Sequence, residues 1–134
     1  LSAIDLLTGE VVGRLALPGA GNVTGLAREG TTLYAYVSGS DTLAVVDISK
    51  PEAPAVLGQT TVSVASTDVG IAAGNGLVWV AGSGLRTVNV SDPTRPTLRR
   101  GADSFFTASR VALNGSGLGL VLPDGGNTVS VYDT

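Results

Sequence analysis

Two residue types that carry much of protein chemistry are missing from this 134-residue chain, which has no cysteine and no histidine. Without cysteine there is no disulfide framework, no thiolate nucleophile and no zinc–thiolate site. Without histidine there is no imidazole general base or metal ligand, and a Ser-His-Asp triad cannot form within the chain. Charge is scarce too: Asp, Glu, Lys and Arg make up 14% of the residues, against roughly 25% in ordinary globular domains. The net charge is −3, and the eight basic residues are scattered apart from the pair Arg99 and Arg100. A nucleic-acid partner, which calls for a basic stripe, is not expected. No apolar run approaches the roughly 18 residues that span a bilayer, and no charged segment followed by an apolar one opens the chain. Membrane insertion is therefore not expected. The chain starts at Leu1 without a methionine, so it is expected to be a piece of something longer.

Hydrophobic residues make up 43% of the sequence, with 19 glycines and 6 prolines. That composition excludes disorder, which needs low hydrophobicity and high net charge, and calls for a core interrupted by many turns. An internal repeat organises it. Asp47-Ile48-Ser49-Lys50-Pro51-Glu52-Ala53-Pro54 is echoed 42 residues later by Asn89-Val90-Ser91-Asp92-Pro93-Thr94-Arg95-Pro96. Asp5 and Asp133 continue the register towards either end. A second landmark keeps step: Thr32–Val37, Leu77–Ala81 and Leu118–Leu122 are Val- and Leu-rich segments at nearly the same period.

Each unit reads as four short strands. The expected spans are Val23–Ala27, Thr32–Val37, Thr42–Ile48 and Ala55–Thr61, then Val69–Ala73, Leu77–Gly82, Arg86–Val90 and Thr97–Gly101. Two strands (Ser2–Asp5 and Glu10–Leu17) precede them, and three more are expected within Ser109–Asp133. β-Branched and aliphatic residues suit half-buried pleated strands. Gly39-Ser40-Asp41, Gly74-Asn75-Gly76, Asn114–Gly117 and Asp124-Gly125-Gly126-Asn127 supply turn chemistry. A four-stranded unit of about 42 residues is the blade of a β-propeller. The fold class is thus all-β, with 1–22 ending a first blade, 23–61 and 69–101 forming blades, and 109–134 starting a last one. Propellers close with roughly four to eight blades. Thirteen strands make a partial arc, so the remaining blades are expected from missing chain or from neighbouring subunits.

Leu43-Ala44-Val45-Val46-Asp47-Ile48-Ser49-Lys50-Pro51 resembles the LVIVD repeat of bacterial and archaeal surface proteins, in which a third strand ends in Asp-Ile/Val-Ser before a proline turn. The next unit departs from the pattern at Asn89 but keeps Ser91, Pro93 and Pro96. Asp5-Leu6-Leu7-Thr8-Gly9 is similar instead to the Asp-x-x-Thr-Gly turn of the related YVTN-type propeller repeats. The resemblance implies a propeller and an extracellular or cell-surface location.

Few side chains invite chemistry. Asp5, Asp47, Asn89 and Asp133 recur once per blade, too far apart to share one cation, and suit capping of the turn that follows the third strand. The glycine-rich stretches lack the Gly-Lys-Ser/Thr ending of a phosphate loop, and Asp124–Asn127 lacks the spaced acids of an EF-hand. The only lysine, Lys50, sits in a proline-bounded turn and is a poor partner for a serine nucleophile. Glycosidase chemistry needs two carboxylates about 5–9 Å apart, and only a shared place in the inter-blade loops relates Asp68 to Asp103. Neither a cofactor nor a metal is expected. The inter-blade segments Val62–Asp68 and Ala102–Ala108 are the candidate binding region, with Asp68, Asp103, Phe105, Phe106 and Arg110 as its residues. The two Phe rings suit either a contact with a partner or sugar, or a wedge between blades.

Val45, Ile48, Val78, Val80, Val88, Val90, Val121 and Val131, with Trp79 between blades, are the expected core. The function expected is that of a non-enzymatic scaffold or protein- or carbohydrate-binding module. An accessory propeller of a larger secreted enzyme (a hydrolase or quinone-dependent oxidoreductase) and a subunit of a surface layer or filament are the alternatives.

Overall fold

The computed structural model describes residues 1–66, 68–99, 108–114, 118–123 and 129–133. Among them there are thirteen strands and no helix. A pair, β1 (Ser2–Ile4) and β2 (Val11–Arg14), comes first. Two four-stranded antiparallel sheets follow: β3 (Val23–Glu29), β4 (Thr32–Val37), β5 (Thr42–Asp47) and β6 (Ala55–Thr61), then β7 (Gly70–Gly74), β8 (Leu77–Gly82), β9 (Gly84–Asn89) and β10 (Thr97–Leu98). A three-stranded sheet of β11 (Ala108–Leu113), β12 (Leu118–Pro123) and β13 (Ser130–Asp133) ends the chain. Each sheet is a simple meander in sequence order, which is the connectivity of a propeller blade.

Hydrophobic patterning explains which strands lie inside. In β5 the run Leu43-Ala44-Val45-Val46 is completely buried. An unbroken apolar run of this length suits a strand covered on both faces, and the middle strands of a blade are covered by the blades on either side. Outer strands such as β6 mix exposed and half-buried residues, because they lie at the edge of the stack. The tight turns follow local chemistry. Asn75 and Gly76, at φ 54° and 72°, form the two-residue connection from Gly74 to its partner Leu77. Both central residues of a type I′ turn need positive φ, and Asn-Gly supplies them.

Neighbouring sheets meet through their inner strands, β3 against β7 and β7 against β11. Two core layers result. Tyr34, Tyr36, Leu43 and Val45 from one sheet interlock with Val78, Val80, Val88 and Val90 from the next. Trp79, Ala81 and Leu85 then pack on Ala108 and Val121. Trp79 is thus inter-blade core, as its place in the second strand predicts. The expected core holds with two exceptions. Ile48 is only half-buried and Val131 is 60% exposed, because each faces a side of its sheet that no complete sheet covers.

At the rim a second contact repeats. Gly13 on β2 lies directly under the Pro51 carbonyl, and Gly58 on β6 lies under the turn of the following blade, where an added methyl would sit 2.6 Å from the Pro93 carbonyl. The proline turn of one blade therefore seats on a glycine in the fourth strand of the blade before it. Both turns close the same way, Ala53 N–H donating to Lys50 O at 2.9 Å and Arg95 N–H to Asp92 O at 3.1 Å.

Strand ends differ from the sequence expectation by a few residues, mainly where a turn borrows from the strand. The third strand of the second complete blade starts at Gly84 rather than Arg86, and the expected end of β10 at Gly101 lies outside the described residues.

Two substitutions test these two contacts separately. Val80→Ala removes buried methyl groups and leaves a cavity, and is expected to destabilise the chain by about 1–3 kcal/mol. Gly58→Ala has no cavity to make. It is expected to destabilise by a comparable amount, about 1–3 kcal/mol, because its Cβ forces the proline turn outwards. Urea denaturation followed by tryptophan fluorescence measures both.

Candidate binding face

The loop after β6 lies with the β4–β5 and β8–β9 turns at one end of the sheets, and it is tightly tied down. Asp41, in the turn before β5, has a positive φ of 50° and makes three attachments. Its backbone carbonyl accepts from Val62 N–H at 2.7 Å. Its Oδ1 accepts from the Tyr36 hydroxyl at 2.7 Å, and its Oδ2 accepts from the Ser63 hydroxyl at 2.6 Å. The Val62 carbonyl, 3.0 Å away, shares the Tyr36 proton. From the next blade, Ser83 donates its N–H to Val64 O at 2.7 Å and its hydroxyl to Ala65 O at 2.9 Å. The loop is held from both sides by two successive blades.

These contacts leave an electrostatic signature. Hydrogen bonds from Ser63 and then Tyr36 favour the ionised Asp41 and hold its carboxyl below the ordinary carboxylate value, against a smaller opposing effect of burial. Burial, with the Asp41 carboxylate beside it, pushes the Tyr36 hydroxyl well above the usual tyrosine range. Tyr36 therefore stays neutral and acts as a donor.

Past this anchor the loop turns outwards. The Ser66 hydroxyl donates to Asp68 O at 2.9 Å and accepts from Asp68 N–H at 3.2 Å, a local brace that sets where the Asp68 carboxylate points. Arg110, on β11 of the following blade, donates from Nη1 to Asp68 Oδ1 at 2.8 Å. Both side chains stay largely in solvent, Arg110 61% and Asp68 66% exposed. An exposed pair of this kind contributes about 0–1 kcal/mol to stability.

Of the five site residues read from the sequence, the structure thus brings Asp68 and Arg110 together across a blade boundary. Asp103, Phe105 and Phe106 lie outside the described residues. The residues that hold the face in shape (Tyr36, Asp41, Ser63 and Ser83) were not singled out. A Ser-Gly-Ser-Asp turn reads only as a hairpin, and the partner of its aspartate lies 22 residues further on.

The once-per-blade acidic positions are turn caps. Asp5 Oδ1 accepts from Leu7 N–H at 2.8 Å, Asp47 Oδ1 from Ser49 N–H at 2.8 Å, and Asn89 Oδ1 from Ser91 N–H at 3.0 Å. Asn89 keeps the acceptor oxygen that makes the same bond. The side chain of Asp133 is outside the described set.

Acid titration checks the Asp41 anchor. A carboxyl whose folded-state value is lowered stabilises the fold above its unfolded value, near 3.9, and that contribution is lost as the pH falls through the folded value. Asp41→Asn keeps the acceptor for Tyr36 and tolerates the left-handed backbone, but it has no charge to lose. Its thermal midpoint is expected to fall less steeply than the wild type's below about pH 4. Parallel curves for the two proteins would show that the charge of Asp41 contributes nothing.

A search of curated proteins finds no match to this chain. The LVIVD repeat family, in contrast, matches residues 21–62 and 70–102, one stretch for each complete four-stranded sheet. The two together span more than half of the sequence, and the chain belongs to the LVIVD repeat family.

Proposed function

We propose that this propeller segment is a non-enzymatic binding module displayed outside the cell or on its surface, with its ligand-contacting side at the loop end that carries Asp68 and Arg110. One observation carries the reading. The loop after β6 is fastened by a buried tyrosine, an aspartate and two serines, and it ends in an ion pair that is itself open to solvent. Binding residues are typically presented in this way, on loops held by a rigid scaffold. A guanidinium has five donors in a planar fork and a carboxylate has two acceptor oxygens. Together they suit the paired donors and acceptors of sugar hydroxyls or of an extended peptide backbone. The lack of histidine and cysteine supports a role in recognition rather than in proton transfer or covalent catalysis.

Glycan and extracellular-protein arrays probed with the fluorescently labelled chain test the proposal. At least one ligand is expected whose binding weakens tenfold or more in both Asp68→Ala and Arg110→Ala, while the thermal midpoints of the two variants stay within a few degrees of the wild type. Absence of any ligand, or binding indifferent to both substitutions, overturns the reading.

A further inference from the structure

The turn between β7 and β8 holds two unengaged groups side by side. Asn75 is exposed, and its side-chain amide makes no hydrogen bond among the described residues. Gly76, at a φ of 72°, uses its carbonyl to accept from Val90 N–H at 2.9 Å. Its own N–H donates to nothing among the described residues, and glycine brings no Cβ to screen that nitrogen. The Gly76 nitrogen and the Asn75 Cγ are two atoms whose joining closes a five-membered ring. Asn22 and Asn89 are exposed too, but valine follows each, and the Asn89 oxygen is taken by Ser91 N–H at 3.0 Å.

The same turn is also a contact between blades. Asn75 N–H donates to Glu29 Oε1 at 2.7 Å, reaching from the second complete sheet back to the end of β3 in the first. Asn75 and Gly76 are the entire connection between Gly74 and Leu77, which pair with each other. A type I′ turn has two central residues, both at positive φ, so it has no room for another main-chain atom. A change in covalent structure here is therefore felt in the hairpin and at the blade boundary together.

We propose that Asn75-Gly76 is a site of spontaneous self-modification, at which the asparagine loses its amide through a cyclic imide and the product loosens the boundary between the two complete blades. The Gly76 nitrogen gives up its proton to hydroxide and attacks Asn75 Cγ. A C–N bond forms, the Cγ–Nδ2 bond breaks, and ammonia leaves with a proton taken from water. A second water then opens the imide. Attack at Cγ gives an ordinary aspartate, whereas attack at the main-chain carbonyl leaves the chain running through the side chain, one carbon longer. Nothing is oxidised or reduced. The first product puts a second carboxylate on the residue that Glu29 already holds, and like charges brought together disfavour that contact. The second lengthens a turn that has no slack.

Storage of the 134-residue chain in neutral buffer at physiological temperature, followed by peptide mass spectrometry and enzymatic labelling of isoaspartyl groups, tests the chemistry. Conversion at Asn75 is expected to exceed that at Asn22 and at Asn89 tenfold or more. It is also expected to run several-fold faster in mildly alkaline than in mildly acidic buffer. Conversion at Asn75 no faster than at the other two, or an Asn75 that stays intact, overturns the proposal. Asn75→Asp, made directly, tests the consequence, since aspartate also tolerates the left-handed backbone. Its thermal midpoint is expected below the wild type's, with the deficit at least halved in a Glu29→Gln background, where the new carboxylate meets no charge. A midpoint equal to the wild type's, or a deficit unchanged by Glu29→Gln, overturns the loosening of the boundary.

Discussion

The middle strands of the two four-stranded sheets are covered on both faces, and most of the structure depends on that cover. Burying Leu43 through Val46 without interruption is possible only where one sheet lies in front of β5 and another behind it. A single four-stranded meander cannot meet this condition alone. Stability therefore resides in the contacts between blades rather than within them, as in other repeat architectures whose units bury their faces only by stacking. The chain's low charge has the same origin. Residues facing a neighbouring blade are mostly apolar, and in a stack of blades most strand residues face one.

Stacking also determines where polar chemistry is tolerated. Sheet faces carry few polar groups, Thr42, Thr87 and the two tyrosines among them, so hydrogen-bonding side chains concentrate at the two ends, and each end uses them differently. At the end bearing the proline turns, Asp47 and Asn89 cap their own backbone and the turns seat on the glycines of the blade before. That end is a clasp. At the opposite end, the Asp41 network and Ser83 tie the loop down and leave Asp68 and Arg110 in solvent. This second end is where charged side chains stay in solvent.

The division of labour explains what was legible in the sequence. The clasp uses residues adjacent in the chain, in a pattern repeated once per blade, so Ser-x-Pro-x-x-Pro gave away the period and the role of Asp47 together. Buried valines were legible from their phase in the alternation of the central strands. Ile48 and Val131 broke the rule because burial depends on a neighbouring sheet as well as on phase. The loop-end anchor was hidden, since its parts come from β4, a turn and an inter-blade loop, and none recurs at the repeat period. The pairing of Asp68 with Arg110, 42 residues apart, was visible only as two polar residues in or beside inter-blade loops.

The unequal second strands show how a repeat drifts while its interface persists. Tyr34 and Tyr36 hold the places of Trp79 and Ala81, a pair of medium-large rings exchanged for one larger ring and a methyl, and both pairs are buried. Tyr36 brings an additional demand, because a buried hydroxyl needs a partner, and Asp41 with the Val62 carbonyl meets it. In the following blade the tyrosine is replaced by alanine, and the turn there shortens to Ser83 between Gly82 and Gly84, with no acid. Loss of the hydroxyl and loss of its acceptor go together. The Asp41 network is thus a local solution to burying a polar ring rather than a property of the repeat. It is also what makes the loop at residues 62–66 more firmly anchored than the sheet packing alone would require.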